Sequence, residues 1–189
     1  ETMGMAGALG PEMGNQDGPD PWFRVGDYRL DGVRYKGSAF MDPAVRLARM
    51  DAGQIDFQVL SPNPLTFLHH IPAAEAAAFC VTHNDLMARL VGQHSDRFAG
   101  FAALPMQDPT RACAELERAV IELGLLGGYI GSDMPHRLGD PVMDPFYETC
   151  IRLNVPLFIH PSPAGIDGPP ADPNLKDFDL DVVIGFAAQ

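Results

Sequence analysis

The stretch DPTRACAELERAVIELG, residues 108–124, runs into GYIGS, residues 128–132, and this pairing sets the architecture. Asp108 is a helix N-cap by type: its carboxylate accepts from the unpaired N–H groups of the first turn and suits the positive end of the helix dipole. Pro109 follows at the first helical position, where a missing N–H costs nothing. Ala112, Leu116, Val120 and Leu123 fall on one helical face, so that face is predicted to be buried. Gly124 supplies the left-handed residue that ends the helix. GYIGS is then a short apolar strand.

The same unit recurs on either side. DPAVRLARMDAG (42–53) opens on Asp42 and Pro43, closes on Gly53, and leads into IDFQVLS (55–61). A longer helix over 73–95 leads into FAGFAALP (98–105). DPFYETCIRLN (144–154), with Asp144 as cap and Asn154 as stop, leads into VPLFIHP (155–161). Helices alternating with short strands over tight connections predict parallel βαβ units. The strands are apolar along their length, as a sheet covered on both faces requires. The fold class is therefore α/β. The doubly wound sheet and the (β/α)₈ barrel both share this pattern. A dinucleotide-binding sheet would place G-x-G-x-x-G directly after a strand, whereas Gly124, Gly127, Gly128 and Gly131 precede and enter one. They read as a helix stop followed by close packing.

Residues 1–41 carry no such pattern. GALGPEMGNQDGPDPW (7–22) reads as loop with at most a short helix. Tyr28 and Leu30, the turn pair Asp31-Gly32, then Val33 and Tyr35 predict a small hairpin. The expected division is an N-terminal loop and hairpin appendage over 1–41 and the α/β body over 42–189.

At 189 residues the chain can bury one sizeable core. A net charge of −12 leaves no basic field for nucleic acid or an anionic membrane surface, so neither is an expected partner. No apolar run approaches the roughly 20 residues of a membrane span. Cys80, Cys113 and Cys150 are odd in number and fall within helical segments, so they read as buried thiols of a reducing, cytoplasmic compartment. The chain starts on Glu1 and stops inside the apolar VVIGFAAQ (182–189), which suggests a fragment.

In both architectures ligands gather at the C-terminal strand ends. Those ends read Ser61-Pro62-Asn63-Pro64, Leu104-Pro105-Met106, Ser132-Asp133-Met134 and His160-Pro161-Ser162. A histidine closing an apolar strand, as His160 does, is either a satisfied core residue or a ligand aimed past the sheet. His69 and His70 read as solvated loop near a site entrance, and Asn63 as a polar group at the same rim.

Three segments carry a resemblance: DPAVRLARMDAGQIDFQVLSPNP (42–64), RFAGFAALPMQDP (97–109) and VPLFIHPSP (155–163). Together with the order and spacing between them, they resemble the amidohydrolase-related family, and within it aminocarboxymuconate-semialdehyde decarboxylase and the resorcylate and carboxyvanillate decarboxylases. The resemblance implies part of a (β/α)₈ TIM barrel of the metal-dependent hydrolase type, about four of eight βα units, strands two to five. It implies one divalent metal ion, zinc or alternatively manganese, at the C-terminal face. His160 matches the family's strand-five ligand. The family's other ligands, a D-x-H-x-H pair and a late aspartate, have no match in this chain. Asp133 in GSDMP imitates the aspartate motif two strands too early and is set aside as a loop residue. Lys36 is the nearest match to the arginine that holds a substrate carboxylate, although an ammonium lacks the bidentate fork.

The implied function is part of a metal-dependent carboxy-lyase acting on an unsaturated or aromatic carboxylic acid. Lys36 and Asn63 are the expected substrate-binding residues and His160 the metal ligand. No catalytic residue is expected within this chain, which alone should be inactive. A metal-dependent hydrolase of a lactone or amide would use the same ligand. A non-catalytic half-barrel would instead expose apolar sheet edges and pair with itself as a homodimer. A doubly wound small-ligand binder would reverse its strand order midway.

Overall fold

The computed structural model describes residues 2–162. The apolar end segment at 182–189 lies outside the described residues, as does the C-terminal part of the expected body. Three short antiparallel strands come first, β1 (Pro11–Gly14), β2 (Trp22–Val25) and β3 (Tyr28–Asp31), in the order β1-β2-β3. The hairpin turn falls at Gly26 and Asp27, between the paired Val25 and Tyr28, and not at Asp31-Gly32 as the sequence suggested. Gly26 takes φ 54°, the sign that a two-residue hairpin loop demands at its first position. Val33 and Tyr35 form no strand. β1 is also new relative to the loop expected there.

The repeating unit follows. It comprises α1 (Pro43–Ala52), β4 (Gln58–Leu60), α2 (Ala73–Gln93), β5 (Phe98–Gly100), β6 (Ala102–Ala103), α3 (Pro109–Ile121), β7 (Gly128–Gly131), α4 (Asp144–Leu153) and β8 (Leu157–His160). β5 and β6 are one strand interrupted at Phe101. Its N–H groups alternate between neighbours, Phe101 donating to Leu60 O at 2.9 Å and Ala102 to Gly127 O at 2.8 Å. The parallel order is therefore β4, β5–β6, β7, β8, sequential along the chain with a helix before each strand. Among the described residues the order does not reverse midway, which goes against the doubly wound alternative and fits a partial barrel.

The helix caps follow the sequence with two exceptions. Asp42 accepts from Ala44 and Val45 N–H, and Asp108 from Thr110 and Arg111 N–H. Asp144 is not a cap: a 3₁₀ turn at Pro141–Met143 runs straight into α4, so Asp144 is already helical and makes no capping bond. At the other ends, Asn154 (φ 54°) and Gly124 (φ 70°) take the left-handed position. Gly53 does not, because its N–H still bonds Arg49 O helically; Gln54 takes φ 54° instead.

Ala112 and Leu116 of α3 are fully buried against Phe98, Leu104, Ile130 and Phe146, and Val120 and Leu123 pack on the edge of this cluster. A second cluster joins Phe23 and Val25 of β2 to Leu68, Ile71, Ala76 and Phe79, so the N-terminal sheet is seated on the loop after β4 and on α2. All four residues of β7 are buried. In β8 Phe158 and Ile159 are half-exposed, so among the described residues the covering of both faces holds best in the central strands.

Candidate functional site

The four strand ends converge on one rim, and the loops there solve a common difficulty. Where a ladder stops, backbone groups still need partners. Continuing the register of β4 against β5–β6, Ala103 N–H would seek Pro62 O and Ala103 C=O would seek the nitrogen of Pro64, which carries no hydrogen. The carboxamide of Asn84, fully buried on α2, takes both roles. Ala103 N–H donates to Asn84 Oδ1 at 2.8 Å, and Asn84 Nδ2 donates to Ala103 O at 2.9 Å. Nδ2 also donates to Glu115 Oε1 at 2.7 Å. Glu115 is buried on α3 and is held by Arg118, which also reaches Asp85 at 2.7 Å. These carboxylates raise the guanidinium pKa, Glu115 most.

His160 closes β8 opposite Gly131 of β7. Its Nδ1 lies 2.7 Å from Pro161 O. A carbonyl can only accept, so Nδ1 carries the hydrogen of this bond. Around it stand Tyr129 (ring centroids 5.8 Å) and Phe67 (6.3 Å). Tyr129 stacks on Phe158 at 5.4 Å and on Phe67 at 5.3 Å. Burial raises the Tyr129 phenol pKa, and a hydrogen bond from Ser61 partly offsets it, so the phenol stays protonated at neutral pH. The rim is thus an aromatic wall with one imidazole at its edge.

His69 belongs to this wall. It is only 5% exposed, not the solvated loop residue its sequence suggested, because Phe67 stacks on it at 5.4 Å and its Nδ1 donates to Asp133 O at 2.7 Å. His70 is the exposed member of the pair, with Nε2 3.2 Å from Leu9 O. Asp133 sits in the loop after β7, as expected; its Oδ2 is buried and has no hydrogen-bond partner among the described residues.

The expected substrate-binding residues sit apart from His160. Asn63 lines a cavity of about 480 Å³ between the N-terminal sheet, the end of β4 and α2. Its Oδ1 accepts from Leu65 N–H at 2.9 Å, and its side chain hydrogen-bonds Tyr35. Lys36 is not among the lining residues; its Nζ pairs with Asp17 at 2.6 Å on the exposed surface. The cation that does line the cavity is Arg46, 3.2 Å from Gln58 Oε1, with its pKa lowered by burial. Its place in an ordinary amphipathic helix gave no signal. His83 also lines this cavity, and burial lowers its pKa to about 4.

Among the described residues no three His, Cys, Asp or Glu side chains cluster closely enough to hold a metal ion. At the end of β8 the chain offers an imidazole whose Nδ1–H is directed to a carbonyl, which is how metal-ligating histidines are oriented; His69 is held in the same way by Asp133 O but is buried in the aromatic stack. His160 fits a divalent metal as a single ligand. No helix among the described residues is long and apolar enough to cross a membrane.

Known proteins agree with this architecture. The chain is 37% identical over 135 residues to the 2-amino-3-carboxymuconate-6-semialdehyde decarboxylase of Dictyostelium discoideum, covering 70% of this chain and 38% of that protein. It is 38% identical over 128 residues to the gamma-resorcylate decarboxylase of Rhodococcus jostii strain RHA1, covering 62% and 39%. It superposes with a TM-score of 0.60 and 33% identity on the dihydroxybenzoic acid decarboxylase of Polaromonas sp. JS666, solved with bound manganese and the inhibitor 2-nitroresorcinol. That match covers 76% of this chain and 43% of the other. The chain spans about two fifths of the length of these relatives. The family model described as Amidohydrolase matches residues 36–185, most of the sequence, and the chain belongs to the amidohydrolase family.

Proposed function

We propose that this chain forms part of a metal-dependent carboxy-lyase that removes carbon dioxide from an aromatic or unsaturated carboxylic acid, with His160 as a ligand of the metal. The observation that carries this reading is the setting of His160: it ends a barrel strand opposite Gly131 of β7, and its Nδ1–H is directed to Pro161 O, the orientation by which a histidine turns its other nitrogen to a cation. Relatives that decarboxylate aromatic and unsaturated acids support the substrate class, and the manganese-bound neighbour supports a divalent cation, with manganese favoured over zinc by that likeness.

In decarboxylation the bond to the carboxylate breaks, its electron pair stays on the ring or alkene carbon, and that carbon takes a proton as carbon dioxide leaves. A divalent metal, when bound, supplies positive charge that stabilises the electron-rich intermediate. The chain's own residues do the rest of what is visible. His160 contributes one ligand. Phe67, Tyr129 and Phe158 form a stacked aromatic column, and the half-exposed Phe158 at its end is the apolar surface proposed to meet a planar acid. Asn63, bonded to Tyr35 at the neighbouring cavity, is the proposed polar contact for the substrate, and Lys36 would have to leave Asp17 to act as its carboxylate partner. These relatives favour lyase chemistry over lactone or amide hydrolysis.

The test is His160→Ala in the full-length protein, read by elemental analysis and by carbon dioxide release from a panel of dihydroxybenzoates and unsaturated dicarboxylic acids. Most of the bound metal and nearly all turnover should disappear. Unchanged metal content would refute the ligand assignment.

A further inference from the structure

The ladder between β7 and β8 ends at the pair Gly131 and His160, yet the two chains remain tied beyond it by side chains. Ser132 N–H donates to His160 O at 2.9 Å. Ser162 N–H donates to Ser132 Oγ at 3.0 Å, and Asp133 N–H donates to Ser162 Oγ at 3.0 Å. The next bond leaves these strands altogether: His69 Nδ1–H, from the loop after β4, donates to Asp133 O at 2.7 Å. Four hydrogen bonds therefore connect that loop to the backbone of His160.

The loop is built to deliver this contact. Gln107 Nε2 donates to Leu68 O at 2.6 Å and to Ile71 O at 3.0 Å, pinning it from the start of the next unit. Leu68 adopts φ 58°, a left-handed conformation that a branched side chain takes only under constraint, with its side chain buried. That bend turns Phe67 and His69 toward the rim together. Gly131 leaves the room: a Cβ there would overlap Ser162 Oγ and lie 3.0 Å from both His69 Cε1 and Phe67 Cδ2.

We infer that His69 is a positioning residue for His160, holding the end of β8 in register through Asp133, Ser162 and Ser132. This rests on His160 being a metal ligand. Two of the ring's contacts are separable: it stacks on Phe67 and it donates to Asp133 O. A shape-filling apolar residue keeps only the burial, whereas asparagine places an amide N–H close to where Nδ1–H stands.

The experiment is manganese binding by the full-length protein, measured by calorimetry, with peptide-resolved hydrogen exchange over the rim. His69→Leu should weaken manganese at least about tenfold, the range for losing a hydrogen-bonded support of a ligand, and should speed exchange at Ser132, Asp133 and Ser162. His69→Asn should restore affinity to within about threefold of the parent. His160→Ala is the separate control. If it keeps manganese, the ligand reading itself falls. If it loses manganese but His69→Leu binds as tightly as the parent, only the role of His69 is overturned. Equal weakening in His69→Leu and His69→Asn also overturns it, because packing alone then explains the effect. Should His69→Leu not fold, Ser162→Ala breaks the same chain nearer β8, and unchanged affinity there decides against the inference.

Discussion

Replacing Asn84 by alanine probes the sheet where its ladder changes hands. The side chain makes three short hydrogen bonds in a site with no solvent exposure: two to the backbone of Ala103 and one to Glu115. Asn84→Ala strands the N–H and C=O of Ala103 and takes a donor from a buried carboxylate. Each buried polar group left unsatisfied costs about 1–3 kcal/mol, so the two backbone groups alone give about 2–6 kcal/mol. Against a typical domain stability of about 5–15 kcal/mol this is a large fraction. Urea unfolding followed by circular dichroism, at constant m, reads the loss directly. Asn84→Asp sharpens the test. It still accepts from Ala103 N–H, but it sets a second carboxylate against Glu115, so its cost should shrink as pH falls and one of the two becomes protonated. A loss below about 1 kcal/mol for Asn84→Ala, or an Asn84→Asp variant indistinguishable from the parent at pH 7, would show that the carboxamide is not standing in for a strand.

Three further outcomes follow from other sites. His83 has a folded pKa of about 4 against an ordinary 6.5, so between those values the unfolded chain binds the extra proton. Stability is full above pH 6.5 and falls toward pH 4, by at most about 3 kcal/mol, and His83→Phe should flatten that acid limb in melts across pH 4–7. Gly131→Ala forces Ser162, His69 and Phe67 to move and should cost about 1–3 kcal/mol in thermal or urea unfolding. Asp108→Ala removes the acceptor for Thr110 and Arg111 N–H and should cost about 1 kcal/mol, whereas Asp144→Ala, which caps nothing, should cost a few tenths in the same assay.

The helices were legible because their signals are local. Asp42, Asp108, Gly124 and Asn154 act on backbone groups within a turn of themselves, and each does in the structure what its type predicts. Asp144 misled because its capping role depends on where the preceding turn ends, and a 3₁₀ turn there had already begun the helix. The N-terminal hairpin misled for a related reason. Asp31-Gly32 and Gly26-Asp27 are both turn-compatible, and the choice falls to Phe23 and Val25, whose burial against Leu68 and Phe79 fixes which strands pair. The place of His160 at the end of a strand was legible from the apolar run before it. His69 and Asn84 were not, since each is defined by a partner far along the chain, Asp133 and Ala103.

The residues hidden from sequence share a physical cause with the site itself. Ligands bind where barrel strands stop, and where strands stop the backbone has donors and acceptors without a ladder. Proline in the loop after β4 aggravates this by removing N–H groups that a neighbour would have met, and Asn84 answers it from a helix. Past Gly131 and His160 the same need is met by Ser132, Ser162 and His69. Side chains recruited to complete the backbone thus end up beside whatever binds at the rim, and the geometry offered to a ligand is set by how well they do so. A substitution at Asn84 should therefore register mainly in stability, because its bonds run to the backbone of Ala103 and to Glu115 and none reaches the strand that carries His160. One at Ser162 should register mainly in binding, because its bonds run to the strand end that carries His160. Equal stability losses at the two positions, with metal affinity untouched at Ser162, would break that link between completing the sheet and shaping the site.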